Sequence, residues 1–240
     1  MGLGKRNFKM GVGVAKQKAL LLVGASGGIG GALLDYISSR TSLVCLPTYY
    51  KNKPAETRFS WIQHNSSAHE STRSMFEEVS RQYEISLVID ASGKFFASKV
   101  QKATPQDIND VVLTNLIAPI ILAKYAQEFM QTGGKVVFMS SIVGTMQLVG
   151  SSAYAASKAG LERGILSLSS EFSQTGHGIC GIRLGYMDYG MTYKINEKVR
   201  NSIRESLPEE KFTDISLLGD KVLEIEISKT SDVNGNLYEF

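Results

Sequence analysis

Ala19-Leu20-Leu21-Leu22-Val23-Gly24-Ala25-Ser26-Gly27-Gly28-Ile29-Gly30 decides how this chain folds. A short aliphatic run of strand type enters a glycine-rich turn, and a helix-forming stretch follows. Glycines at 24, 28 and 30 meet three needs of such a junction. They allow a tight strand-to-helix turn, close approach of backbone N–H groups to a ligand, and close packing of helix on strand. The helix start then offers unpaired N–H groups and the positive end of its dipole, which suits a pyrophosphate. Gly24, Ser26, Gly28, Ile29 and Gly30 are therefore the candidate phosphate cradle of a dinucleotide site.

Further along the chain, short β-branched or aliphatic runs alternate with longer amphipathic stretches. The runs cover 19–23, 43–47, 59–64, 87–91, 135–139, 178–184 and 236–240, and the stretches about 28–40, 71–83, 104–131, 152–174, 193–206 and 214–228. That alternation predicts an α/β protein: a single-domain Rossmann fold, a doubly wound parallel sheet of about seven strands with helices on both faces. Thr104 precedes Pro105 as an N-cap, and Gly133-Gly134 stops the long helix. Residues 1–17 are Gly-rich, basic and aperiodic, and are expected to form a flexible extension before a domain over 18–240.

Composition bounds the rest. The 240 residues are 43% apolar and 20% charged, enough for one sizeable core. A net charge of +3 argues against a dedicated nucleic-acid binder. Cys45 and Cys180 lie in apolar runs and read as reduced core thiols of a cytoplasmic protein. No apolar stretch is expected to reach the ~18 residues of a membrane span. His64, His69 and His177 lack metal-ligand spacing, so no metal is expected, and Trp61 reads as core.

The end of the second run, Pro47-Thr48-Tyr49-Tyr50-Lys51-Asn52-Lys53, bears on the choice of nucleotide. An acid there would bind a ribose 2′-hydroxyl and repel a 2′-phosphate. None is present, while Lys51 or Lys53, beside Tyr49, would attract a phosphate, so NADP(H) is favoured over NAD(H).

Tyr154-Ala155-Ala156-Ser157-Lys158 puts a phenol and an ammonium on one helix face. A tyrosine at pKa about 10 is a poor acid–base group at neutral pH, and bringing it to about 7 takes roughly 4 kcal/mol of preferential stabilisation, which a nearby ammonium can help supply. Ser140 and Ser141 end the fifth strand, at the carboxyl edge where open α/β sheets bind ligands, and the Ser141 hydroxyl is placed to hold a carbonyl beside the phenol. Asn115 interrupts an apolar helix between Leu113, Leu116 and Ile117, and a buried amide there must be hydrogen-bonded.

Taken in order, Gly24-xxx-Gly28-x-Gly30, Asn115, Ser141 and Tyr154-xxx-Lys158 resemble the short-chain dehydrogenase/reductase family, closest in type to the 3-oxoacyl-acyl-carrier-protein reductases. The resemblance implies a carbonyl reductase with Tyr154 as proton donor. Lys158 would lower its pKa and bind the nicotinamide ribose, Ser141 would polarise the carbonyl, and Asn115 would help hold a water linked to Lys158. It also implies cofactor contacts at Gly93 and Gly185, a substrate lid over about 186–212 and a homo-oligomer, dimer or tetramer. The substrate would be a small-molecule or carrier-bound carbonyl. Lys194, Lys198, Arg200 and Arg204 in the lid suit an acidic carrier or a solvated face; Tyr186, Met187, Tyr189 and Met191 suit a pocket lining or packing under the lid; Phe95 and Phe96 suit the pocket rim.

The sequence departs from the family at Asp90-Ala91-Ser92-Gly93, where Asn-Asn-Ala-Gly is usual, at Leu184-Gly185 for Pro-Gly, at Asn65 for an acid, and at Tyr189 for a threonine that Thr192 would have to replace. Asp90 is expected to link strands by hydrogen bonds. Two other readings stay open: a non-catalytic dinucleotide-binding sensor or scaffold, motivated by those altered loops, and an NAD-dependent alcohol dehydrogenase.

Overall fold

A computed structural model describes residues 15–190, 197–205 and 212–239. Its elements in chain order are β1 (Gln17–Val23), α1 (Gly28–Ile37), β2 (Val44–Tyr49), β3 (Ile62–Gln63), α2 (His69–Gln82), β4 (Tyr83–Asp90), α3 (Pro105–Val112), α4 (Ala118–Phe129), β5 (Lys135–Ser141), α5 (Ser152–Gln174), β6 (Gly178–Leu184), α6 (Glu197–Glu205), α7 (Ile215–Ile227), α8 (Thr230–Val233) and β7 (Leu237–Glu239). The strands form one seven-stranded sheet in the order β3-β2-β1-β4-β5-β6-β7, every pairing parallel. Because the order reverses between β1 and β4, a crevice opens there at the carboxyl edge.

Alternation along β1 shows how the sheet is covered. Ala19, Leu21 and Val23 point to the side packed by Met75, Phe76 and Val79 of α2, Leu122 and Ala126 of α4, and Leu161, Ile165 and Phe172 of α5. Leu20 and Leu22 point to the other side, under Leu33, Leu34 and Ile37 of α1 and Leu218, Val222 and Ile225 of α7. A strand buried on both faces must be apolar at every position, and the Ala19-to-Val23 run is.

Several boundaries differ from the sequence reading. β1 begins at Gln17, inside the expected extension, whose residues 1–14 lie outside the described part. β3 is reduced to the Ile62–Gln63 pairing with Thr48 and Tyr49. β4 starts at Tyr83 directly after α2, because Tyr83-Glu84-Ile85-Ser86 continues the ladder against Gln17 to Ala19. The expected 104–131 helix is broken by a π-helical turn, Leu113–Ile117, between α3 and α4. Its start matches the reading: Thr104 and Asp107 form a reciprocal capping box.

The rod from Pro105 to Phe129 reaches the length and mean hydropathy (1.3) of a membrane span, contrary to expectation. It lies instead between α2 and α5, with Leu122, Ala123 and Ala126 in the core. Cys45 and Cys180 are buried free thiols, pushed up by burial to about 11 and about 12.

Gly24 takes φ +78°, and a Cβ there would sit 2.6 Å from the Ser92 nitrogen. A Cβ on Gly30 would overlap the Gly24 carbonyl oxygen. Gly30→Ala therefore has to push α1 away from β1. We expect it to lower stability by about 1–3 kcal/mol, read as a shift in the urea unfolding midpoint.

Candidate active site at the carboxyl edge

The last residues of β5 and the inner face of α5 are tied together. Lys158 Nζ donates to the Met139 carbonyl at 2.7 Å. Ser140 Oγ donates to Glu162 Oε1 at 2.7 Å. The Ser141 hydroxyl accepts the Val143 N–H at 3.3 Å and lies close enough to the Tyr154 phenol to favour its ionised form. Tyr154, Lys158 and Glu162 stand four residues apart on α5, so one helix face makes all three contacts. All of these side chains are buried.

Asn115 joins them from the π turn and is completely buried. Its Oδ1 accepts the Lys94 N–H at 2.8 Å, and its Nδ2 donates to the Lys94 carbonyl at 2.8 Å and to Ser157 Oγ at 3.3 Å. The amide thus satisfies both backbone groups of a residue in the loop after β4, as a neighbouring strand would. Pro119 lacks an N–H, so the Asn115 carbonyl is denied its ordinary helical donor. Gly93 borders the same space: a Cβ there would lie 3.6 Å from Asn115 Oδ1 and 4.0 Å from Lys158 Nζ.

Burial governs the protonation states. It pushes the Tyr154 phenol above its ordinary value, and the Ser141 hydroxyl only partly offsets this. Burial thus works against the acidity expected from a neighbouring ammonium. Burial lowers Lys158 to about 8 against the pull of Asp90 and Glu162. Asp90 is raised by burial, and Lys158 acts in the opposite direction. Its Oδ1 accepts the Ser92 N–H at 2.9 Å, a bond within its own loop in place of the expected link between strands.

The glycine cradle faces this group across the strand-order reversal. The Gly27 cap of α1 has no side-chain hydrogen bond, and the first turn holds no acid, so no side chain competes for the helix N-terminus. The residues fit a pyrophosphate in that respect. Thr48 anchors the cradle: its Oγ1 accepts the Gly24 N–H at 3.1 Å and its carbonyl accepts the Ser26 N–H at 3.2 Å. Sequence reading missed Thr48, although a polar residue closing an apolar strand beside the glycine turn was a usable signal. Above Gly28 lies the backbone of Gly190, which a Cβ at 28 would overlap. A Cβ on Gly190 would lie 3.5 Å from Ile29 N.

Other candidates are dispersed. Lys51 and Lys53 are exposed beyond β2, with Lys51 Nζ 5.4 Å from the Tyr50 ring centroid. Tyr49 closes β2, its carbonyl accepting the His64 N–H at 2.8 Å. Gly185 follows β6, half-buried. Phe95 meets the Tyr154 ring edge-on at 5.1 Å, and Phe96 packs in the same cluster. Met187 is core rather than pocket lining, and Tyr189 packs against the same cluster. Within the expected lid, Met187 bridges to Thr213, Arg200 lies 3.8 Å from Asp188, and Arg204 covers the Phe212 ring. Met191, Thr192 and Lys194 lie outside the described residues.

Comparison with known proteins finds similar sequences and similar folds. The family model for short chain dehydrogenases matches residues 18–200. The chain is 29% identical over 197 residues to the 3-oxoacyl-[acyl-carrier-protein] reductase of Rickettsia felis, covering 80% of this chain and 81% of that one. It is 27% identical over 170 residues to a hydroxynaphthalene reductase of Aspergillus fumigatus, covering 66% of this chain and 62% of that enzyme. Among solved structures, a short-chain dehydrogenase from Burkholderia cenocepacia in complex with NADP superposes with a TM-score of 0.84 at 22% identity, over 94% of this chain and 96% of that one.

Asn115→Ala strands both backbone groups of Lys94. The expected result is a loss of about 2–4 kcal/mol, with faster hydrogen exchange at the Lys94 amide.

Proposed function

The chain belongs to the short-chain dehydrogenase family and is an NAD(P)-dependent oxidoreductase, and we propose that it reduces a ketone or 3-oxoacyl group to the alcohol with NADPH. The observation that carries this reading is the gathering of Tyr154 and Lys158 against Ser141 and Met139 at the end of β5, with Asn115 bonded to Ser157 on the same helix, near the strand-order reversal. The Gly24-to-Gly30 cradle, with Gly93 and Gly185, would hold the dinucleotide, and Lys158 its nicotinamide ribose. When bound, the nicotinamide supplies the electron pair, as hydride, to the carbonyl carbon.

The side chains do the remainder. Ser141 donates a hydrogen bond to the carbonyl oxygen and orients it toward the phenol. Tyr154 gives that oxygen its proton; burial keeps the phenol protonated beforehand, and the charge of Lys158 would offset that burial as the proton leaves. The phenolate left behind is stabilised by the Lys158 ammonium and the Ser141 hydroxyl. Asn115 keeps the Gly93–Lys94 segment clear of Lys158 and, through its carbonyl, would hold the water that restores the proton. Phe95 and Phe96 beside Tyr154 support an apolar group next to the carbonyl, on a small molecule or a carrier. Ile117 and Ile120, exposed one turn apart, support a homo-oligomer, and the buried thiols support a cytoplasmic setting.

Tyr154→Phe should cut ketone reduction by about 10²–10⁴ while NADPH binding persists; undiminished turnover would exclude Tyr154 as the acid. Since Lys158 must keep its proton, kcat/KM of wild type should fall as pH rises through about 8. Lys51→Ala or Lys53→Ala should weaken NADPH about fivefold and leave NADH unaffected in a fluorescence titration. Tighter NADH binding by wild type would reverse the nucleotide assignment.

A further inference from the structure

Glu162 stands one turn beyond Lys158 and two beyond Tyr154 on α5. Its buried carboxylate is engaged on every side. Oε1 accepts from Ser140 Oγ at 2.7 Å and from Arg183 Nε at 2.9 Å, and Oε2 accepts from Arg183 Nη2 at 2.7 Å. Arg183 in turn donates from Nη1 to Glu239 at 2.5 Å. One carboxylate thus joins α5 to the ends of β5, β6 and β7. An apolar side chain could fill this helix–sheet contact without desolvating an ion pair, so packing alone does not account for the charge. Its neighbours, Ser141 and Lys158, give it a use.

We propose that Glu162, locked in place by Arg183, is a positioning residue for the reaction: through Ser140 it fixes the strand end that carries Ser141, and its negative charge holds Lys158 as an ammonium. The inference rests on the roles given above to Tyr154 and Lys158.

Every charged group around the pair enters the balance. Lys158 is faced by Asp90 from β4 and Glu162 from its own helix. The neutral groups beside it are the Met139 carbonyl on β5 and the Asn115 amide across the space at Gly93. Glu162 is faced by Ser140, by Arg183 from β6 and, beyond it, by Glu239 from β7. Burial pushes the Glu162 carboxyl up, but the Arg183 and Ser140 hydrogen bonds hold it below its ordinary value, so it stays charged across the working range. Loss of that charge leaves the burial of Lys158 opposed by Asp90 alone.

Glu162→Gln keeps the shape and removes the charge. The expected result is an alkaline limb of kcat/KM displaced about one pH unit downward, with about twentyfold loss near pH 8.5 against about threefold near pH 6.5. Glu162→Asp, which restores the charge, should return the limb to its wild-type position even where kcat is reduced. Ser140→Ala, which keeps the carboxylate, should lower kcat about threefold without moving the limb. Should Glu162→Gln not fold, the double variant Glu162→Gln, Arg183→Gln removes the uncompensated charge and carries the same test. A limb that stays in place in the folded variant, with loss equal at every pH, overturns the inference. Tyr154→Phe measured in parallel separates the two levels: turnover retained there overturns the underlying assignment, whereas an inactive Tyr154→Phe beside an unmoved Glu162→Gln limb overturns the role of Glu162 alone.

Discussion

A cation buried in the middle of the protein sets the terms for everything around it. Lys158 has been taken out of water, and one hydrogen bond to the Met139 carbonyl replaces part of its lost hydration. Such an ammonium persists only where carboxylates lie close enough to favour it, and Asp90 and Glu162 are those carboxylates. The contact also fixes register. With Lys158 on Met139, Glu162 falls on Ser140 and Tyr154 on Ser141, so a slip of one residue along β5 would dissolve all three contacts together. The sheet prevents that slip, because β5 is paired along its length with β6 and along Lys135 to Phe138 with β4.

The second requirement is a floor for the cofactor side, and it comes from backbone more than from side chains. Gly24 bends under Ser92, Gly30 lets α1 rest on the Gly24 carbonyl, and Thr48 holds the turn from the neighbouring strand. Across the crevice, Asn115 treats Lys94 as a strand would treat its partner and so extends order beyond the last paired residue of β4. The π turn makes this reach available. Widening the helix at Leu113–Ile117 turns the Asn115 side chain inward, and Pro119 leaves that turn short of a donor.

Much of this was legible in the residues. The glycine turn after an aliphatic run, the periodicity of the strands and the Tyr154–Lys158 spacing all act through nearest neighbours, and each led to the right element. Asn115 showed as a polar residue in an apolar helix, but its partner Lys94 is 21 residues away and no local pattern names it. The link of Glu162 to Arg183 spans 21 residues and joins different elements, so no local pattern singles out either residue. The short β3 was hidden for a related reason: 59–64 is apolar enough for a strand, but only Ile62 and Gln63 meet β2. Local chemistry identifies groups, and tertiary register decides which of them meet.

Gly28 and Gly190 meet backbone to backbone, though 162 positions separate them in the chain. Neither has a side chain that could adjust, so the spacing between the first crossover helix and the segment after the sixth strand is set by main-chain thickness alone. A methyl group at Gly28 would overlap the Gly190 backbone and demand displacement of that entire segment, whereas one at Gly190 would merely touch Ile29, and glycine is favoured there by its left-handed backbone at φ +62°. The two regions must diversify as a unit, and a chimera that takes its first half from one relative and its second half from another would reveal incompatibility at this seam first.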